Sequence, residues 1–307
     1  MLIEGRRPYI LEAGKGEQPR RLEPYDMNGK RLIDLEITRR TIDFMRRGHE
    51  SGKPFFAYVP MSAMHFPTLP APEFAGRSGH GDYTDMLMQT DHLVGKMLDA
   101  LEQMGIAENT LVIFTADNGV ESPENGDGQY NGWAGPWAGT YFTALEGGLR
   151  APFIARWPGK IPAGSRNNEI VHLVDVFPSL ASISGASVPK DRPIDGIDMA
   201  DFFTGKRLGS GREGFPIFVG NELYAVKWHD WKVHFIWQAS KYSPKQVFST
   251  IPKVVNLVQD PREERQAAEP YNTWTQFMLD ILVQFQLSAR QYPHVPVGAP
   301  NDYQPAY

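Results

Sequence analysis

Between residues 83 and 119 three signals follow one another, and together they leave few folds open. Leu87, Val94, Met97, Leu98, Leu101 and Met104 recur at helical spacing, with Gly105 placed as a C-terminal stop. After a short link comes Thr110-Leu111-Val112-Ile113-Phe114-Thr115-Ala116, an apolar β-branched run that reads as a strand buried on both faces. It ends in Asp117-Asn118-Gly119. Helix, buried strand and polar turn in that order predict a parallel α/β sheet, in which ligands bind at the carboxyl ends of the strands. Asp117 and Asn118 therefore stand where chemistry is usually placed, and their oxygens suit a hard cation. The same letters also spell an ordinary turn, since Asx side chains bond local backbone and glycine accepts positive φ. The residues alone leave both readings open.

The rest of the chain supplies the partners such a sheet needs. Arg31 to Arg47 is predicted as a helix with Leu35, Ile42 and Met45 on one face. Phe55-Phe56-Ala57-Tyr58-Val59 is predicted as a buried strand that runs into the loop Met61 to Pro67, and Ala151 to Trp157 as a third strand. Val174 to Ser184 reads as a helix stopped at Gly185. Residues 1–29 read as loop or an extended arm. The character changes after about residue 212. Phe215 to Val219, Tyr224 to Trp228 and Trp231 to Trp237 read as short strands, the last two joined by a tight hairpin at His229-Asp230, before an amphipathic helix over Thr273 to Leu287. The expected division is an N-terminal arm over 1–29, an α/β domain over 30–205 and an antiparallel sheet plus helix over 212–307.

Composition closes off several function classes. With 307 residues the chain can bury a substantial core. A net charge of -5 and no basic run interleaved with aromatics argue against a nucleic-acid surface. No apolar run is long enough to span a membrane. The absence of cysteine excludes disulfides, thiolate metal sites and a cysteine nucleophile. The first residues lack the apolar core of a signal peptide, so the chain as it stands is expected in the cytoplasm, and in the periplasm or outside the cell if a further segment precedes it.

Other candidate groups have structural readings of their own. His65, before Phe66-Pro67, reads as a hydrogen-bonded loop histidine or as a functional one. Glu146 and Arg150 are expected to form a buried ion pair, with Gly147 and Gly148 allowing close backbone packing. His80 and His92 read as surface or helix residues. The glycine-rich stretch over 126–137 fits no phosphate-binding pattern and reads as a loop rimming the site.

Five ordered motifs carry a resemblance. PFFAYVPMSAMHFP, then DMLMQTDHLVGKMLDALEQMGIAENTLVIFTADNG, then ALEGGLRAPFIARWPGKIPAG, then DVFPSLASISGA, and finally AVKWHDWKVHF with NLVQDPREERQ, are similar to the type I sulfatase family over roughly residues 30 to 265. The resemblance implies an alkaline-phosphatase-like α/β fold, a mostly parallel sheet flanked by helices with a small C-terminal α+β subdomain. It implies hydrolysis of small-molecule sulfate esters by a formylglycine made within a C/S-x-P-x-R motif. It also implies a calcium ion held by Asp117, Asn118 and two aspartates nearer the family's N-terminus, and a histidine facing the substrate sulfate, here His65.

The departures from that pattern set further expectations. No C/S-x-P-x-R occurs: Ser187-Val188-Pro189-Lys190-Asp191 lacks the arginine and lies far downstream. The N-terminal aspartate pair is absent, and Tyr141 fills the slot in which many members carry a sulfate-binding lysine. The chain thus resembles a sulfatase without its N-terminal third. Asp117 and Asn118 offer at most three of the six to eight oxygens calcium takes, so weak calcium binding and no formylglycine are expected. Three readings follow: an impaired hydrolase with His65 as catalytic residue and His65 and Tyr141 at the substrate, a non-catalytic binding protein, or a subunit completed by a separate N-terminal segment. A sheet lacking a strand would also favour a homo-oligomer.

Overall fold

The computed structural model describes residues 2–4, 7–12, 20–121, 132–191, 193–267 and 273–293. Contacts group these into two compact units, the first ending at Thr110 and the second beginning at Leu111.

The first unit opens with three strands, β1 (Leu2–Glu4), β2 (Arg7–Glu12) and β3 (Arg20–Pro24), paired antiparallel in sequence order. The segment expected as loop or extended arm therefore contains a small meander. Helix α1 (Met27–Glu50) starts at Asp26, whose side chain accepts a hydrogen bond from the Gly29 amide at 2.9 Å. It buries Asp34, Thr38 and Met45 and packs against α2 (Asp82–Gln103). Met86, Gln89, Leu93, Ala100 and Leu101 form the buried stripe of α2, a face turned from the predicted one: Leu101 is common to both, Val94, Met97 and Leu98 are half-buried, and Leu87 is 51% exposed. Gly105 ends it with φ 69°, and the Ile106 amide returns to the Leu101 carbonyl at 3.1 Å.

Residues 55–59 depart from expectation. The segment joins no ladder among the described residues, and Phe56 and Tyr58 are 71% and 80% exposed. Phe55, Ala57 and Val59 alternate with them as half-buried positions. A strand of a parallel sheet is apolar all round because neighbours cover both faces; here alternate residues lie open to solvent.

The second unit holds β4 (Val112–Thr115) paired with β5 (Phe153–Arg156), in register from Val112 opposite Arg156 to Thr115 opposite Phe153. This pairing is antiparallel, as is every ladder among the described residues. Between the two strands lies a single helical turn, α3 (Glu146–Leu149). Helix α4 (Val176–Ser184) ends at Gly185 as predicted, and α5 (Ala200–Phe203) follows. Asp175, fully buried, accepts from the Arg212 guanidinium at 2.8 and 2.5 Å and from the Ile197 amide at 2.8 Å. Hydrogen bonds between Arg212 and Asp175 thus cross the boundary expected between residues 205 and 212.

Strands β6 (Gly214–Val219), β7 (Glu222–Trp228), β8 (Trp231–His234) and β11 (Lys253–Asn256) make a four-stranded antiparallel sheet in the order β11-β8-β7-β6. A two-stranded pair, β9 (Ile236–Trp237) with β10 (Gln246–Val247), lies beside it in the chain. The β7–β8 hairpin closes at His229-Asp230 with Trp228 opposite Trp231, and His229 takes φ 47°, as a tight hairpin requires. One face of the sheet presents Val226, Val233 and Val254 to Met278 of helix α6 (Thr273–Gln291). The other face is unusual. By register it carries Lys227, Lys232, His234 and Lys253, and all four are buried.

Candidate active site

That basic face meets two carboxylates, and their meeting positions the Asp117-Asn118 turn. Glu146, 1% exposed, lies 2.6 Å from Lys227 Nζ, 2.8 Å from Lys232 Nζ and 2.7 Å from Arg150 Nε. Glu263, also fully buried, accepts from the Glu146 amide at 2.7 Å, sits 3.0 Å from Lys232 Nζ, and contacts His234 Nε2 at 2.7 Å. Lys232 donates in addition to the Ala144 carbonyl at 2.9 Å. The expected Glu146–Arg150 pair forms as one edge of a larger network, with Glu146 buried but the Arg150 side chain 44% exposed.

The electrostatics follow from the geometry. Burial alone would raise the carboxyl of Glu146, but Lys232, Lys227 and Arg150 overcome it and hold the group far below the ordinary carboxylate range. Glu263 is lowered in the same way, with burial opposed by Lys232 and by the hydrogen bond from His234. His234 is pushed down by burial, and its Nδ1 has no hydrogen-bond partner among the described residues. A neutral imidazole donating from Nε2 to Glu263 satisfies both facts.

From this anchor the backbone leads directly to the turn. The Gly119 amide donates to the Gly148 carbonyl at 2.9 Å and the Val120 amide to the Gly147 carbonyl at 3.2 Å. The Gly147 amide in turn donates to the Ala138 carbonyl at 2.7 Å. A Cβ on Gly119 would lie 2.0 Å from the Gly147 oxygen, one on Gly147 2.4 Å from the Gly139 oxygen, and one on Gly148 2.1 Å from the Thr140 oxygen. Gly119 does not adopt positive φ. Its role is close approach, which corrects the turn-geometry reason read from the sequence.

Asp117 is exposed and Asn118 half-buried at the end of β4. Asn118 donates from Nδ2 to the Gly119 carbonyl at 2.8 Å, a local Asx-type bond that leaves Oδ1 as the atom suited to a cation. The turn and the ligand readings are thus compatible. The donor set fits the chemistry of a hard cation but covers only part of a calcium shell. No group of three His, Cys, Asp or Glu side chains with metal-site geometry occurs among the described residues.

Tyr141 belongs to the same unit. Its amide donates to the Val120 carbonyl at 2.9 Å, and its hydroxyl is raised above the usual phenol range by a hydrogen bond to Glu121, with burial adding to the effect. Lys241 lies 3.1 Å from Glu121 and 4.7 Å from the centre of the Tyr141 ring. No local sequence signal points to Lys241. Of the glycine-rich rim, residues 126–131 lie outside the described residues.

His65 belongs to the first unit. It is exposed, and Nδ1 donates to the Phe66 carbonyl at 2.7 Å, leaving Nε2 as the unprotonated nitrogen of the neutral ring. Its loop is fixed by Asp34, which is fully buried and accepts from the Ser62 amide at 2.7 Å. Burial raises the carboxyl of Asp34, and the bonds from Ser62 oppose that rise. His80 and His92 are exposed, as expected, with His92 on α2 in ring contact with Phe74.

Comparison with known proteins places these elements in context. Residues 12–186 match the family profile described as Sulfatase. The chain is 38% identical over 199 residues to N-acetylgalactosamine-6-sulfatase of Canis lupus familiaris, covering 63% of this chain and 36% of that protein. It is 35% identical over 225 residues to steryl-sulfatase of Rattus norvegicus, covering 72% and 38% respectively. Among solved structures, the PsFucS1 sulfatase from Pseudoalteromonas sp. superposes with a TM-score of 0.87 at 27% identity, over 94% of this chain and 59% of that one. The fold is the expected alkaline-phosphatase-like α/β class. The chain spans about a third to two fifths of these two curated relatives' length.

Proposed function

Because the chain belongs to the sulfatase family, we propose that it carries one part of a sulfate-ester hydrolase site, with Asp117 and Asn118 as metal ligands, His65 as the catalytic group and Tyr141 at the substrate. The observation that carries this reading is the mounting of the Asp117-Asn118 turn, whose next two amides are bonded to Gly147 and Gly148 beneath a buried charge network. An ordinary surface turn needs no such support.

Calcium, when bound, would neutralise charge on the sulfate oxygens. The chain's own residues do the rest of what it can contribute. The Asp117 carboxylate and Asn118 Oδ1 supply up to three oxygens. His65 presents Nε2, which accepts a proton from, or in its protonated form donates one to, a group bound opposite it. Tyr141, held by Glu121, presents an oriented hydroxyl and a ring face. Nothing in the 307 residues replaces the C/S-x-P-x-R nucleophile, so covalent sulfate transfer by this chain alone is not expected.

Turnover of 4-nitrocatechol sulfate tests the reading. The chain alone is expected to fall several orders of magnitude below an ordinary enzyme rate. Supplied with a separate polypeptide bearing the family's aspartate pair and its matured nucleophile, it is expected to gain calcium-dependent turnover that Asp117→Ala abolishes. Turnover at an ordinary enzyme rate by the chain alone would refute the impairment. No gain on complementation would favour a sulfate-ester binding protein, the reading that the missing motif also supports.

A further inference from the structure

A helix that covers one face of a sheet needs one apolar stripe, and α6 carries two. Its inner side sends Met278, fully buried, onto Val226, Val233 and Val254, with Ile281 and Leu282 packed beside it. Phe285 belongs to the same side by helical spacing, its ring 5.4 Å from that of Phe218. Turned away from the sheet, Leu279, Val283 and Leu287 follow one another at every fourth position and are 39%, 47% and 52% exposed. The packing of α6 on the sheet makes no use of this second row.

The charges of α6 bracket that row. Asp280 and Arg290 are the only charged residues between Thr273 and Gln291, and both are exposed. Asp280, Val283, Leu287 and Arg290 stand at the spacing 3-4-3, which on a helix places them on one face, as the a and d positions of a heptad. The spacing reads the same from either end while the charge changes sign. A second copy of the helix laid antiparallel therefore sets Val283 against Leu287 and Asp280 against Arg290, each contact occurring twice. A parallel copy would set Asp280 against Asp280 and Arg290 against Arg290. The Asp280 carboxylate is already oriented, since its Oδ1 accepts from Gln276 Nε2 at 2.7 Å.

We infer that the outer face of α6 pairs with the same face of a second copy of this chain, antiparallel and about a twofold axis, with Val283 and Leu287 as the apolar seam and Asp280 and Arg290 as its charged ends. A different protein would require no such self-complementary order. A lipid surface would require basic residues along the row, and Arg290 is the one basic side chain of the helix. The seam is small beside the roughly 1,200 Å² or more that holds stable complexes, so the dimer is expected to be weak, with a Kd on the order of 10 to 100 μM. None of the proposed site residues lies on α6, and the outcome leaves the sulfate-ester reading untouched.

The test uses the full chain carrying Phe56→Lys/Tyr58→Lys, which keeps those two exposed side chains out of any association. Sedimentation equilibrium is expected to show a dimer that forms as concentration rises. Asp280→Arg and Arg290→Asp should each weaken it about tenfold, because symmetry turns both ion pairs into like-charge contacts. Asp280→Arg/Arg290→Asp together should restore it. The original charges also suit the helix dipole, which the double swap opposes. Recovery of the dimer without a rise in melting temperature therefore separates pairing from helix stability. The chain has no cysteine, so cross-linking reads the register directly. Val283→Cys mixed with Leu287→Cys is expected to give a disulfide-linked dimer on mild oxidation, and either variant alone far less. A monomer mass at every concentration overturns the inference, as does a double swap that associates no better than the single reversals. Val283→Cys that links to itself as readily as to Leu287→Cys overturns the antiparallel pairing.

Discussion

At the scale of single residues, glycine and buried charge share the work of placing Asp117 and Asn118. Gly119, Gly147 and Gly148 let three backbone segments approach within hydrogen-bonding distance, and each would place a Cβ inside 2.5 Å of a carbonyl oxygen. Backbone atoms cannot rotate away as the end of a side chain can. Gly119→Ala is therefore expected to cost about 2 kcal/mol or more and to lower the melting temperature by several degrees. Gly95, in the middle of α2 with nothing within 4 Å of its added Cβ, gives the opposite sign. Gly95→Ala should stabilise by about 0.5 to 1 kcal/mol. Thermal unfolding of the two variants checks both, and an unaltered midpoint for Gly119→Ala would contradict the close-packing account.

At the scale of elements, the β7–β8 hairpin is the support on which α3 rests. Lys227 and Lys232 stand opposite one another across the hairpin, and both reach Glu146. Such a network gains little over an apolar core, yet losing one member leaves its partners charged and buried, at about 3 to 5 kcal/mol. Its dependence on pH has a definite sign. The folded carboxyls of Glu146 and Glu263 are lowered, so below the unfolded glutamate value of about 4.3 the unfolded chain binds more protons and stability is lost. His234 is lowered too, which starts the loss below the unfolded imidazole value of about 6.5. The stabilisation is thus fully present above about pH 6.5 and declines in two stages as the pH falls. Melting temperature measured from pH 7.5 to 3.5 should show this, with His234→Gln flattening the upper stage. A profile level down to pH 4 would exclude the network as a source of stability.

At the scale of the whole molecule, the segment 55–59 bears on assembly. Phe56 and Tyr58 stand exposed on backbone that joins no ladder among the described residues. Apolar, unpaired extended chain is a template for strand addition. The chain by itself is expected to self-associate through this segment, and Phe56→Lys/Tyr58→Lys to return it toward the monomer mass by light scattering. A wild-type monomer mass that dilution leaves unaltered would remove the expectation.

Local signals in the sequence determined the long helices, the strand ahead of Asp117, the turn at Gly105 and the hairpin at His229-Asp230, because periodicity and turn chemistry act over a few residues. They also marked Glu146 and Arg150 as a pair. Only the tertiary structure decided that residues 55–59 join no ladder among the described residues, since a strand's pairing depends on neighbours that the segment does not encode. Only it revealed Lys227, Lys232 and His234 as core residues. Alternation in AVKWHDWKVH assigns those side chains to one face of a sheet but does not say what covers that face. The covering acids, Glu146 and Glu263, lie 117 positions apart, and a lysine reads as solvent-facing until folding brings such a partner to it.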